Sequence, residues 1–313
     1  MLACPAVRTA IIDIGSNTLL LLITEPGPDG ELDAVVDLCR FGRLGQGLDA
    51  SGRLHPDAIA RSLDICREYR AAIDAHGVDQ VAVVATEAVR KAANGADFTG
   101  PARALLGADI DVIAGEREAE LAFTAQVRSL PALRGRAFAV ADVGGASTEI
   151  VVTDGTRVVS KVSVPIGAVR LAERHLRHDP PAADERATLM ADIDARLAPL
   201  ELPTGLTLVA SAGTATTLAA IDLALECYDP ARIHGHTLTP ARLIELTDRL
   251  LSSSAAERLA TVGIEPQRVD VIPAGAAIFA RLAVRLATPA IVISDRGIRW
   301  GLAYELEAAA AAP

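Results

Sequence analysis

Aromatic residues are scarce in this 313-residue chain: five Phe, three Tyr and one Trp, 3% of the sequence. So few flat side chains leave little for stacking unpaired bases. Cationic residues do not dominate either, with 30 Lys plus Arg against 40 Asp plus Glu and a formal charge of −10. Without a basic face to displace counterions, a generalist nucleic-acid binder is excluded. On whole-molecule charge a polyanion is not an expected ligand, and one that does bind has to be held locally. No uninterrupted apolar run reaches about 18 residues, so no membrane span is expected, and the strongest run, 19–23, is strand-sized. No basic segment followed by an apolar stretch opens the sequence, so no secretory signal is expected. Cys4, Cys39, Cys66 and Cys227 form no Cys-x-x-Cys pair. That argues against a zinc site or a disulfide framework and points to a reducing, cytoplasmic setting.

Half of the residues are apolar. At about 100–200 residues per domain, the length suggests two domains with ample cores. Strands are expected at 7–14 and 18–24, joined by a tight Gly15-Ser16-Asn17 turn, with a third near 32–38. A helix at 56–76 places Ile59, Leu63, Cys66 and Ile73 on one face. A buried strand at 81–85 leads to a helix from 87, and a strand at 110–113 leads past Gly115 to a Glu-rich helix. The second half begins again with strands at 137–143, 148–153 and 158–164. Helices follow at 168–176 and 182–197, then a strand at 206–210 running into a helix at 214–225. Helices at 240–251 and 266–286, a strand at 290–294 and a helix from 297 complete the pattern. This alternation is α/β, with mixed or parallel sheets covered by helices.

A weak internal duplication carries more information. Ile12-Asp13-Ile14-Gly15-Ser16 and Ala141-Asp142-Val143-Gly144-Gly145 share the pattern apolar-Asp-apolar-Gly-small, each ending a strand and opening a hairpin. Repeats of this size suggest two similar domains facing each other across a cleft. Glycine turns expose successive backbone N–H groups, which form anion-binding concavities. Gly144-Gly145-Ala146-Ser147 and Ser16-Asn17-Thr18 therefore stand as phosphate-binding turns. Asp13 and Asp142, at the strand ends, are hard oxygen donors suited to Mg²⁺ held through water. Thr86-Glu87-Ala88-Val89-Arg90 opens a helix, where Arg90 is placed to grip a phosphate. Glu116, Glu118 and Glu120 alternate at another helix start, and spacing does not choose which of them orients a water. Ser211-Ala212-Gly213-Thr214 is a further strand–glycine–helix junction. His234-Gly235-His236 reads as a packing loop rather than a metal pair, and His178-Asp179 as a loop before two prolines.

Taken together, these segments resemble the exopolyphosphatase/guanosine pentaphosphate phosphohydrolase (Ppx/GppA) family of the actin-like, sugar kinase and Hsp70 ATPase superfamily. The first phosphate motif is matched at 10–18, the Ala-Thr-x-Ala-x-Arg segment at 85–90, the second phosphate motif at 142–149 and the closing motif at 295–299. Segments at 165–171 and 262–268 are also similar. Gly115-Glu116-Arg117-Glu118-Ala119 matches Gly-x-x-Glu-Ala, which selects Glu118 as the catalytic glutamate. The resemblance implies two ribonuclease H-like domains: domain I at 1–125, with a C-terminal helix at about 298–313 packing back on it, and domain II at 126–297. It implies a Mg²⁺-dependent exopolyphosphatase, with Mn²⁺ as an open alternative and a requirement for monovalent K⁺ left open. Asp142, Glu149 and Asp13 would hold the metal; Ser16, Asn17, Thr18, Arg90, Gly144, Gly145, Ala146, Ser147, Gly213 and Thr214 would bind phosphate. Inorganic polyphosphate and guanosine pentaphosphate are the implied partners, with a homodimer as the implied assembly. A phosphotransferase of the same fold and a weakly catalytic guanosine-phosphate regulator remain alternatives. Three departures bear on this: Ala146 where the family has glycine, Ala212 in a motif one glycine poorer, and Trp300 in place of a Glu. Alanine fits at 146 only with φ below zero.

Overall fold

The computed structural model describes residues 7–28 and 31–311. Cys4 and the last two residues of the expected closing helix lie outside them. The strands of the first half are β1 (Thr9–Ile14), β2 (Leu19–Pro26), β3 (Leu32–Arg40), β4 (Gln80–Ala85) and β5 (Ile110–Val112). They form one sheet in the order β3-β2-β1-β4-β5, with β2 antiparallel and β4 parallel to β1. Ala10, Ile11, Ile12 and Ile14 of β1 are fully buried. A strand covered on both faces is expected to read as such a continuous apolar run. The helices are α1 (Leu48–Ser51), α2 (Pro56–Ala75), α3 (Glu87–Lys91), α4 (Ala96–Leu106) and α5 (Gly115–Ser129). The expected helix from 87 is thus only a short piece, followed by α4. The Gly100-Pro101 pair inside α4 hides it from propensity arguments.

The second half carries β6 (Phe138–Val143), β7 (Thr148–Thr153), β8 (Val158–Val164), β9 (Thr207–Ser211), β10 (Thr237–Leu238) and β11 (Ile291–Ile293). Their order is β10-β11-β9-β6-β7-β8. Reversed, and without the short antiparallel β10, this is the order of the first sheet, with the same parallel and antiparallel sense. The duplication seen in two aspartate motifs therefore extends to whole sheets, the two similar α/β halves that were expected. Helices α6 (Ala168–His175), α7 (Ala183–Leu197), α8 (Ala212–Asp222), α9 (Pro230–Ile233), α10 (Pro240–Ser252), α11 (Ala255–Leu259) and α12 (Ile272–Arg285) follow. The expected helix at 266–286 splits into a 3₁₀ turn, Pro266–Arg268, and α12. α8 and α12 are buried on nearly every side, which their small Ala, Gly and Thr residues allow.

The chain ends in α13 (Ile298–Ala311). It packs on β1 and β2, and Arg299 pairs with Asp37 of β3. Trp300, the departure in the closing motif, is buried and tilts against Tyr304 with ring centroids 5.8 Å apart. It is a core residue of the first unit. That unit runs to Arg117 and takes back Ile298 onward; the second is Glu118–Gly297. The division falls within α5, earlier than the expected boundary at 125. Among the described residues no helix is long and apolar enough to cross a membrane.

Candidate active site

In the second sheet, register gathers four polar residues into one cross-strand row. Asp142 on β6 lies opposite Ser211 on β9 and Glu149 on β7, and Glu149 lies opposite Ser163 on β8. Opposed residues share a face of the sheet. Ser211 Oγ donates to Asp142 Oδ2 at 2.9 Å, and Ser163 Oγ donates to Glu149 Oε1 at 2.7 Å. Neither carboxylate forms an ion pair in the described structure, although Asp142 is 6% and Glu149 2% exposed. Burial first, then the Glu118 charge, pushes the Glu149 carboxyl well above its ordinary range; Asp142 adds to this, while hydrogen bonds from Ser163 and Ser147 oppose it. Burial raises Asp142 as well, against the pull of the Ser211 hydroxyl.

Of the three glutamates that spacing left equivalent, the structure buries one. Glu118 is 3% exposed, Glu116 is exposed, and Glu120 pairs with Lys161. The choice implied by the family resemblance is thus the glutamate whose charge is felt at Glu149.

The Gly144–Ser147 turn closes with the Gly144 N–H donating to the Ser147 carbonyl at 3.0 Å. Behind it, the first amides of α6 consume the turn's acceptors. Ala168 N donates to Gly144 O at 2.9 Å, and the amides of Val169 and Arg170 donate to Gly145 O at 2.9 and 3.0 Å. Arg170 also donates to the Ala146 carbonyl. This close seating requires Gly167, where a Cβ would come within 2.5 Å of Ala146 N and Gly145 O. The first unit repeats the device: Gly15 N donates to Thr18 O at 2.9 Å, while Gly45 N and Arg43 N take the carbonyls of Ser16 and Asn17 at 2.7 and 2.9 Å. Turns with their carbonyls already occupied present donors, which suits phosphate.

The repeat is not symmetrical in chemistry. Asp13 holds the register position equivalent to Asp142, but its row reads Val84, Asp13, Leu20, Cys39. Arg90 is anchored within the first unit, donating to the Ile113 carbonyl and lying 3.9 Å from the Glu87 carboxylate. At the α8 junction, a Cβ on Gly213 would overlap the Arg268 guanidinium, which in turn pairs with Glu265 at 2.7 Å. Thr214 is buried against Gly275. Sequence reasoning left Ser163, Ser211, Arg170 and Arg268 unassigned. Only the segments holding Arg170, Ser211 and Arg268 had drawn notice.

The two alanine departures have different outcomes. Ala146 is not among the residues with positive φ, so it meets its condition. Ala212 takes φ 70°, in the left-handed region. That conformation costs a non-glycine residue about 1–2 kcal/mol, part of which glycine gives back as unfolded-chain entropy. Ala212→Gly is expected to leave stability unchanged or raise it by up to about 1 kcal/mol, read from the urea midpoint. At an ordinary helical position the same change would lower it.

His234 and His236 do pack: His236 bonds Asp222 at 2.8 Å. Asp179, at the cis Asp179–Pro180 bond, accepts the Ala255 amide at 2.7 Å. Among the described residues no group of three or more His, Cys, Asp or Glu is arranged as a metal cage. Among the described residues Cys39, Cys66 and Cys227 form no disulfide, and burial pushes the Cys66 thiol up to about 12.

The model of the Ppx/GppA phosphatase family matches residues 27–310. Exopolyphosphatase 2 of Mycobacterium tuberculosis is 38% identical, covering 96% of this chain and 98% of its own. The guanosine-5'-triphosphate,3'-diphosphate pyrophosphatase of Vibrio cholerae is 28% identical over 95% of this chain, which spans 59% of that longer protein. Among solved structures, the Ppx/GppA family member of Aquifex aeolicus superposes with a TM-score of 0.83 at 32% identity, covering 99% of this chain and 100% of that one. An exopolyphosphatase of Cytophaga hutchinsonii superposes at 0.88 with 29% identity, covering 96% and 98%. The register row, the glycine turn and these likenesses agree: the chain belongs to the Ppx/GppA phosphatase family.

Proposed function

We propose that the chain is an exopolyphosphatase that releases terminal phosphate from inorganic polyphosphate, with guanosine pentaphosphate as a second substrate. The observation that carries this reading is the buried group of Glu118, Asp142 and Glu149 beside a donor-rich glycine turn. Phosphoanhydride hydrolysis needs mainly positioning and charge stabilisation. A water attacks the terminal phosphorus, the bridging P–O bond breaks, and the shortened chain departs with the bridging oxygen. Glu118 orients that water and takes its proton. The Gly144 N–H is spent on the Ser147 carbonyl, so the amides of Gly145, Ala146 and Ser147 hold phosphate oxygens, with Gly213 and Thr214 as a further contact. By the same hydrogen-bond criterion, Ser16, Asn17 and Thr18 are proposed as a phosphate turn of the first unit, with Arg90 as a phosphate-gripping cation of that unit.

Two buried carboxylates facing each other without a counter-cation fit a divalent ion. Mg²⁺ favours one or two carboxylates plus water and substrate oxygens over an all-protein cage. Asp142 and Glu149 would hold it. When bound, it neutralises charge on the phosphoryl oxygens. Asp13 is the corresponding carboxylate of the first unit. Mn²⁺ is a substitute of the same ligand preference. A cytoplasmic homodimer is the proposed setting.

The test is phosphate release from polyphosphates of graded length, guanosine pentaphosphate and ATP, with Mg²⁺ and with chelator. Release from polyphosphate that stops on chelation is expected. ATP-dependent transfer to an acceptor without hydrolysis would make the chain a phosphotransferase. Tight nucleotide binding without turnover would make it a regulator.

A further inference from the structure

Gln126 is fully buried on α5, and its Nε2 donates to the Arg296 carbonyl at 2.7 Å. Only the N–H end of the amide can face a carbonyl, which fixes its orientation. The other end, Oε1, is buried without a hydrogen-bond partner. Leaving such an acceptor unmade costs about 1–3 kcal/mol. The Arg296 carbonyl also accepts from Ser294 Oγ at 3.1 Å, so satisfying that oxygen does not account for the glutamine.

A second strut meets the same loop. His234 Nε2 lies 3.1 Å from the Ser129 carbonyl at the end of α5, so it donates there, and Nδ1 accepts the Asp295 N–H at 3.3 Å. α5 is thereby tied to two successive residues, Asp295 and Arg296. The next residue, Gly297, lies against the site: a Cβ there would be 3.5 Å from Asp142 Oδ2. The helix that carries Glu118 therefore also holds the loop that packs on Asp142.

We propose that Gln126, with His234 as a second strut, is a positioning residue that sets the placement of Asp142 relative to Glu118. This rests on the catalytic reading of those two carboxylates. Misplacement of a reacting group by about 1 Å costs up to about 10²-fold in rate.

Gln126→Met keeps the side-chain length and removes the donor. Turnover of short polyphosphate should fall about ten- to hundredfold. KM should stay within about twofold, because the loss lies in the transition state. Backbone amides at 295–297 should exchange with solvent about tenfold faster, as a released loop does. His234→Phe should act in the same direction. If Gln126→Met does not fold, His234→Phe decides on the same readouts. Active wild type alongside a folded variant with unchanged turnover and exchange overturns the role given to Gln126 alone. A wild-type chain that releases no phosphate overturns the proposed function, and the catalytic role of Gln126 with it.

Discussion

Glu118→Gln is expected to lower turnover of short polyphosphate about 10²–10⁴-fold, the usual contribution of a positioned general base. The amide is nearly isosteric, so a side chain that is 3% exposed is replaced without opening a cavity. Glutamine can still accept a hydrogen bond from water, but it cannot take the proton. KM should change little, because the proposed function gives phosphate binding to amides of the Gly144–Ser147 turn rather than to Glu118. Steady-state kinetics at saturating Mg²⁺ check this, and wild-type turnover in a folded variant would reject Glu118 as the base. Glu116→Gln and Glu120→Gln serve as controls, since one residue is exposed and the other pairs with Lys161.

Replacing Glu149 is expected to move stability and activity in opposite directions. Its carboxylate is buried beside the charges of Glu118 and Asp142, without an ion-pair partner. Glu149→Gln replaces a carboxyl whose ionisation burial and Glu118 disfavour, and keeps an oxygen for the Ser163 hydroxyl. In chelator, the variant should be more stable by about 1–4 kcal/mol, as when buried charges give way to neutral groups of similar volume. Added Mg²⁺ should narrow the difference, because a ligand that binds the native state stabilises wild type more. Activity should fall at least about tenfold, with a higher Mg²⁺ requirement, as for loss of a metal-holding group. A variant less stable than wild type in chelator would refute the like-charge account. Thermal melts with and without chelator read the stability arm.

Much of this site was visible in local patterns, and the reason is geometric. A strand ending in Asp-Val-Gly-Gly shows its turn and its carboxylate within five residues, so Asp142 and Gly144 needed no partner to be noticed. Glu118 did need one. Three glutamates at alternating positions differ only in what packs over them, and the family pattern made a choice that spacing did not. Ser163 and Ser211 were illegible as site residues because sheet register, not sequence distance, brings them to Glu149 and Asp142. Gln126 stood in a helix described only as Glu-rich, and its partner Arg296 is 170 residues away. The sheets themselves were legible because buried strands are short apolar runs, whereas α4 was masked by its Gly-Pro pair. The charge of −10 argues against a broad basic face and says little about a locally held ligand. It speaks for the surface at large, whereas on the proposed reading a few amides and a divalent cation would hold the anion locally.

The return of α13 to β1 and β2 has a consequence for how the molecule is made. Arg299 and Asp37 are 262 positions apart, yet they belong to one unit. During synthesis the second unit, Glu118–Gly297, is complete before Ile298 is added, so it can fold while the first still lacks its helix. The first unit is thus completed after the second, through contacts of long sequence separation whose loop closure is entropically costly. A stall or truncation before α13 would leave the strands that start the chain without their cover, while the unit carrying Glu118, Asp142 and Glu149 stands intact.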